Sequence, residues 1–136
     1  MVILISERQE ETMQDEFLRA IYKAFNAREI DSVLAAMHPD VDWPNGMEGG
    51  RVHGRRGVRE YWTRQWSMVN PRVDPVHFEE DALGRVVTEV HQVVRNLEGG
   101  ILVDQMVRHA YVIEGGLIKS MEILESAMPT PISSQK

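Results

Sequence analysis

The apolar periodicity of this chain changes once, from helical to alternating, near Arg72, and that change restricts the folds open to it. Beyond Arg72 lie four strand-like runs, at residues 73–81, 85–97, 101–113 and 117–126. Leu83-Gly84, Glu98-Gly99-Gly100 and Glu114-Gly115-Gly116 separate them, and glycine supplies the positive φ that tight hairpins need. Pro75 cannot donate to a ladder, which places the first of these strands at a sheet edge.

Before the change the pattern is helical. Ser6 and Gln9 form a capping-box pattern, and Met13, Phe17, Ile21, Ala24 and Phe25 recur beyond it, so residues 7–28 read as one amphipathic helix. Ile30, Val33, Leu34 and Met37 make a shorter helix that His38-Pro39 ends, because a residue before proline avoids the α region. Val41-Asp42-Trp43 is a short strand, and glycines 46, 49, 50 and 54 make the next stretch a loop. Val58, Tyr61, Trp62, Gln65 and Val69 mark a third helix ending before Pro71. Three helices and then an antiparallel meander make an α+β plan with the helices on one face of the sheet. Strands this long curl, so the sheet should wrap the first helix and leave a blind cavity whose mouth is the 43–66 stretch.

Composition narrows the function classes. The 136 residues carry 15 basic and 21 acidic side chains, a net charge of −6. With no basic run, nucleic acid and anionic membrane surfaces are not expected partners. The absence of cysteine removes disulfide scaffolds, thiol catalysis and thiolate metal sites. Residues 2–5 are the only N-terminal apolar run, too short for a signal or a span, so a cytoplasmic protein is expected. Without a linker or repeat, residues 1–136 read as one domain with its core at 7–127 and a frayed tail at 128–136. The five histidines lack metal-ligand spacing, and there is neither a phosphate-cradling loop nor a nucleophile elbow. No metal and no cofactor are expected.

Four segments carry a family resemblance: Asn26-Ala27-Arg28-Glu29-Ile30-Asp31; Val33 through Trp43; Gly54-Arg55-Arg56-Gly57-Val58-Arg59-Glu60-Tyr61-Trp62; and the Ile113–Ile118 hairpin. Their order resembles the SnoaL-like branch of the nuclear transport factor 2-like superfamily, which also includes ketosteroid isomerases. The resemblance implies a cystatin-like conical barrel with three N-terminal helices on a strongly curved antiparallel sheet. It also implies a ligand pocket and a homodimer through the outer sheet face. In ketosteroid isomerases a carboxylate abstracts a proton while a tyrosine and a neutral carboxylic acid stabilise the enolate. Here the base position holds Trp43, the acid position falls on or next to Arg108, and the tyrosine position falls at Ile21 or Tyr22. Both carboxylates are missing, so ketosteroid isomerase chemistry is not expected.

Alternation supplies the candidate site. Val86, Val90 and Val94 share one face, with the composition of a packing or dimer surface, which turns Glu89 and His91 toward the cavity. Arg108 would face inward with Asp104, Met106, Ala110 and Val112, and the last strand would add Met121, Ile123 and Glu125. His91 and Arg108 are therefore the candidate catalytic pair: a histidine titrates near neutrality, and an arginine holds a carboxylate or a developing enolate. Tyr22, Trp43, Tyr61, Trp66, Glu89, Met121 and Ile123 complete a site for a small, partly apolar molecule. The activities considered are isomerase, cyclase, lyase and hydrolase. The alternative is a non-catalytic binding or dimerisation module, with Arg108 and Glu89 a cross-strand ion pair and the tryptophans core.

Overall fold

In the computed structural model, which describes residues 11–124, the first helix begins later than its periodicity suggests. Helix α1 spans Met13–Asn26, and its capping box is Thr12 with Asp15. The Asp15 N–H donates to Thr12 Oγ1 at 2.9 Å, and the Thr12 N–H donates to Asp15 Oδ2 at 3.2 Å. Ser6 and Gln9, the tail from 128 and Glu125 lie outside the described residues. The buried stripe of α1 is Leu18, Ile21 and Tyr22, whereas Met13 is exposed.

Helix α2 spans Ile30–Ala35 and stops short of Met37, where strand β1 (Met37–Pro44) begins. Met37, Val41 and Trp43 of β1 are buried, so Met37, expected to finish a helix, instead joins the inward face of the strand expected at Val41–Trp43. Strand β2 (Arg51–His53) pairs antiparallel with β1, and helix α3 (Gly54–Trp66) follows at once. Gly54 has a φ of 75°, and a Cβ there would lie 3.4 Å from the Pro39 carbonyl oxygen, so glycine suits this corner. Strand β2 thus occupies part of the stretch read as glycine-rich loop, and α3 is the expected third helix, begun at Gly54.

The four expected strands are β3 (Asn70–Glu80), β4 (Val86–Arg95), β5 (Ile101–Glu114) and β6 (Leu117–Leu124). The sheet order is β2-β1-β6-β5-β4-β3. It is antiparallel except where β1 runs parallel to β6, so the sheet is mixed, and it does not close. Strand β3 is an edge, as Pro75 requires, and its register shifts between Pro75 and His77. Helix α1 packs on β3 and α3 on β1, forming the α+β cone with its apolar interior between helices and sheet.

The register of the β4–β5 ladder decides which side chains face that interior. Val86 pairs with Tyr111, Thr88 with His109, Val90 with Val107, Gln92 with Gln105 and Val94 with Val103. Val86, Thr88, Val90, Val107, His109 and Tyr111 are all buried, so this set faces inward. Glu89 opposite Arg108 and His91 opposite Met106 belong to the other face. The valine face is therefore core and cavity wall rather than an outer packing or dimer surface. The burial reflects ordinary hydrophobic sorting: the more uniformly apolar face of a half-covered strand goes to the side the helices cover.

Candidate functional site

Between the helices and the inner sheet face lies a cavity of about 530 Å³. Trp43 from β1, Tyr61 and Trp62 from α3, Tyr22 and Phe25 from α1 and Tyr111 from β5 give it aromatic walls. The Trp43 and Trp62 rings meet edge to face at 5.6 Å. Met121 and Ile123 of β6 add apolar surface, the first buried and the second exposed. None of the lining residues is Asp, Glu, Lys or Arg. Polar lining is confined to uncharged groups, chiefly Tyr22, His109, Tyr111 and Tyr61 with Gln65, Gln92 and Gln105.

Three of these form a buried chain. The Tyr111 hydroxyl donates to the Tyr22 oxygen at 2.7 Å, and Tyr22 Oη lies 2.8 Å from Nδ1 of His109. Each hydroxyl has one proton, so Tyr22, already accepting from Tyr111, donates its own to Nδ1. Burial pushes the His109 pKa down to about 4, which keeps the ring neutral near pH 7. With Nδ1 accepting, the ring proton resides on Nε2, which makes no hydrogen bond among the described residues. Burial raises the phenol pKa of Tyr22 and Tyr111, so both remain protonated donors. The chain thus fixes the imidazole and leaves one N–H donor available to an occupant of the cavity.

Five of the residues singled out from sequence line this cavity: Tyr22, Trp43, Tyr61, Met121 and Ile123. Tyr61 also fastens the rim, its hydroxyl accepting from the Gly46 N–H at 3.0 Å. Trp66 lies behind the wall, stacked on Trp62 at 5.9 Å with the Arg28 guanidinium 4.9 Å from its ring centre. The placement expected for the catalytic pair is corrected by the register. His91, Arg108 and Glu89 are on the outer face and do not line the cavity. There His91 Nε2 lies 2.7 Å from Asp104 Oδ1, a solvent-facing pair on adjacent strands. Asp104 and Met106, expected inward with Arg108, share that outer face. The inward neighbour of Arg108 is His109, the residue that sequence reasoning passed over. Its signal was present: taking the Val86/Val90 face as inward puts Thr88 inside, and the hairpin then brings His109 opposite it. No group of three or more His, Cys, Asp or Glu able to hold a metal occurs among the described residues.

Residues 18–121 match the family of SnoaL-like domains. The chain belongs to the SnoaL-like family. No curated protein matches it by sequence. Among solved structures it is similar to TerC, co-crystallised with polyporic acid, at 30% identity and a TM-score of 0.70, covering 80% of this chain and 88% of TerC. It is also similar to an NTF2-like protein of unknown function from Burkholderia pseudomallei K96243, at 28% identity and a TM-score of 0.70, covering 80% and 87% of the two chains. RV0760c from Mycobacterium tuberculosis, solved with estradiol-17beta-hemisuccinate, shares the fold at 14% identity and a TM-score of 0.69, covering 82% and 92%. Membership of the SnoaL-like family accounts for the cone; the neutral polar chain inside it is read from this chain's own residues. No helix among the described residues is long and apolar enough to cross a membrane.

Proposed function

We propose that this SnoaL-like protein binds a small, ring-containing, largely apolar molecule in the cavity, with an oxygen of that molecule accepting a hydrogen bond from His109 Nε2. The observation that carries this reading is the unpartnered Nε2 of a neutral, fixed imidazole in an aromatic cavity. The similarity to TerC, crystallised with polyporic acid, supports a small-molecule ligand. A carbonyl held there would be polarised, which lowers the barrier to enol formation and serves isomerase, cyclase or lyase chemistry alike. With its pKa near 4 the ring acts as a neutral donor and not as an imidazolium.

The test is a thermal-shift and calorimetric screen of ring ketones, phenols and lactones against wild type, His109→Phe and Tyr22→Phe, with product analysis. Ligands stabilising wild type are expected to lose about fivefold or more in affinity with His109→Phe, the effect of one buried hydrogen bond. A screen in which no such molecule binds, or in which binding ignores both variants, overturns the assignment.

A second reading is binding without turnover. It is favoured by the lack of any carboxylate in the lining, since carbon–proton abstraction needs a base. Bound ligand recovered unchanged, with no solvent deuterium at positions next to its carbonyl, supports this reading over the first. For assembly and location we infer a cytoplasmic homodimer joined through the outer sheet face, supported by the family resemblance and the acidic, cysteine-free composition. A strict monomer at high concentration in sedimentation overturns the dimer.

A further inference from the structure

The geometry points to a second polar subsite in the same cavity, formed by Gln92 and Gln105, that takes an uncharged hydroxyl-type group at the far end of the ligand. The inference rests on the ligand reading above and deepens it. Gln92 and Gln105 are directly paired on β4 and β5, both line the cavity, and both are half-buried. The Gln105 Nε2 amide donates to Gln92 Oε1 at 2.9 Å. A single bond between two carboxamides leaves one carbonyl oxygen and one NH2 group unused, whichever way the two amides are turned. A donor and an acceptor side by side match a group that gives one hydrogen bond and takes one, for which a hydroxyl is the simplest case.

Position along the strand separates this subsite from His109. Residues 105, 107 and 109 of β5 line the same cavity, so the two poles are about 13 Å apart along the backbone. Val107, paired with Val90, lies between them as an apolar strip. The two poles and the strip describe an elongated molecule, apolar in its middle, with an acceptor oxygen at one end and a hydroxyl at the other. Charge at either end is disfavoured, because no lining residue carries a compensating charge. An acidic ligand would enter in its neutral form.

The experiment uses two rigid rods: para-phenylphenol, with one hydroxyl, and its congener with a hydroxyl at both ends. Each is titrated against the full chain while following tryptophan fluorescence, since Trp43 and Trp62 line the cavity. Wild type is expected to prefer the two-ended rod by roughly five- to tenfold, one added hydrogen-bonded group. In the double variant Gln92→Leu with Gln105→Leu that preference should vanish, while the one-ended rod binds within about twofold of wild type and so reports an intact cavity. A preference that survives the double variant, or is absent from wild type, overturns the subsite. If the one-ended rod binds wild type and is weakened by His109→Phe, the ligand reading stands although the subsite has failed. If neither rod binds, both fail together.

Discussion

The Tyr22 hydroxyl lies 2.8 Å from Nδ1 of His109, a residue 87 positions further along the chain, and the Tyr111 hydroxyl stands behind it at 2.7 Å. This contact ties the first helix to the middle of the sheet and sets which imidazole nitrogen carries the proton. Tyr22→Phe removes the donor to Nδ1 and the acceptor for Tyr111 together. The expected loss is about 1–3 kcal/mol of stability, the cost of buried groups left unpaired, read from urea midpoints at constant m. Tyr22→Phe with Tyr111→Phe should cost less than the two single variants added, because the pair shares one bond.

His109 also makes stability depend on pH. Its folded pKa is pushed down to about 4 from an ordinary 6.5. Between these values the unfolded chain binds a proton that the folded chain refuses, so stability is full above about pH 6.5 and falls as the pH drops toward 4. The contribution at stake is on the order of 3 kcal/mol. In His109→Phe this segment of the profile should flatten; an unchanged slope between pH 6.5 and 4 would show that the histidine titrates normally.

Outer-face residues should behave differently. His91→Ala and Arg108→Ala remove solvent-facing groups, and each is expected to change stability by less than about 1 kcal/mol. Neither should alter the affinity of any cavity ligand by more than about twofold, since neither residue lines the cavity. Calorimetric titration of both variants checks this, and a large affinity loss in either would return function to that face.

The cavity rim offers a further test. Asn45 Oδ1 accepts from the Met47 and Glu48 N–H groups at 3.2 and 2.8 Å, and its Nδ2 donates to Glu48 Oε1 at 2.9 Å. Gly46 and Met47 of this turn line the cavity. Asn45→Ala should cost about 1–2 kcal/mol and speed amide hydrogen exchange selectively at residues 46–50. Protection that stays unchanged there would mean that the Tyr61 contact and the backbone bonds between Asn45 and residues 49 and 50 hold the rim.

Much of the fold was legible in the residues. Glycine turns at 84, 99 and 115–116 separate the strands at the observed places, because tight hairpins need the positive φ that glycine adopts freely. Pro75 marked an edge for the same kind of local reason. Boundaries were less legible: Thr12 and Asp15 carry the same kind of capping pattern as Ser6 and Gln9, which lie outside the described residues, and spacing alone does not choose between the two. The packing of Trp43 with Trp62 and Tyr111, and which aromatics face the cavity and which, like Trp66, stand behind it, was not legible in the sequence.

The sequence by itself determined the three helices, the long strands, their order and the aromatic residues of the 43–66 stretch, since these follow from local periodicity, composition and turn chemistry. It did not determine the face. A strand repeats every two residues, so choosing the wrong side moves every side chain at once, and His91 and Arg108 exchange places with Gln92 and His109. What decides that choice is which side the helices cover, a contact between residues far apart in the chain. The parallel pairing of β1 with β6 and the Tyr111–Tyr22–His109 chain were settled in the same way. Both bring together groups separated by dozens of residues, and no local pattern encodes that distance.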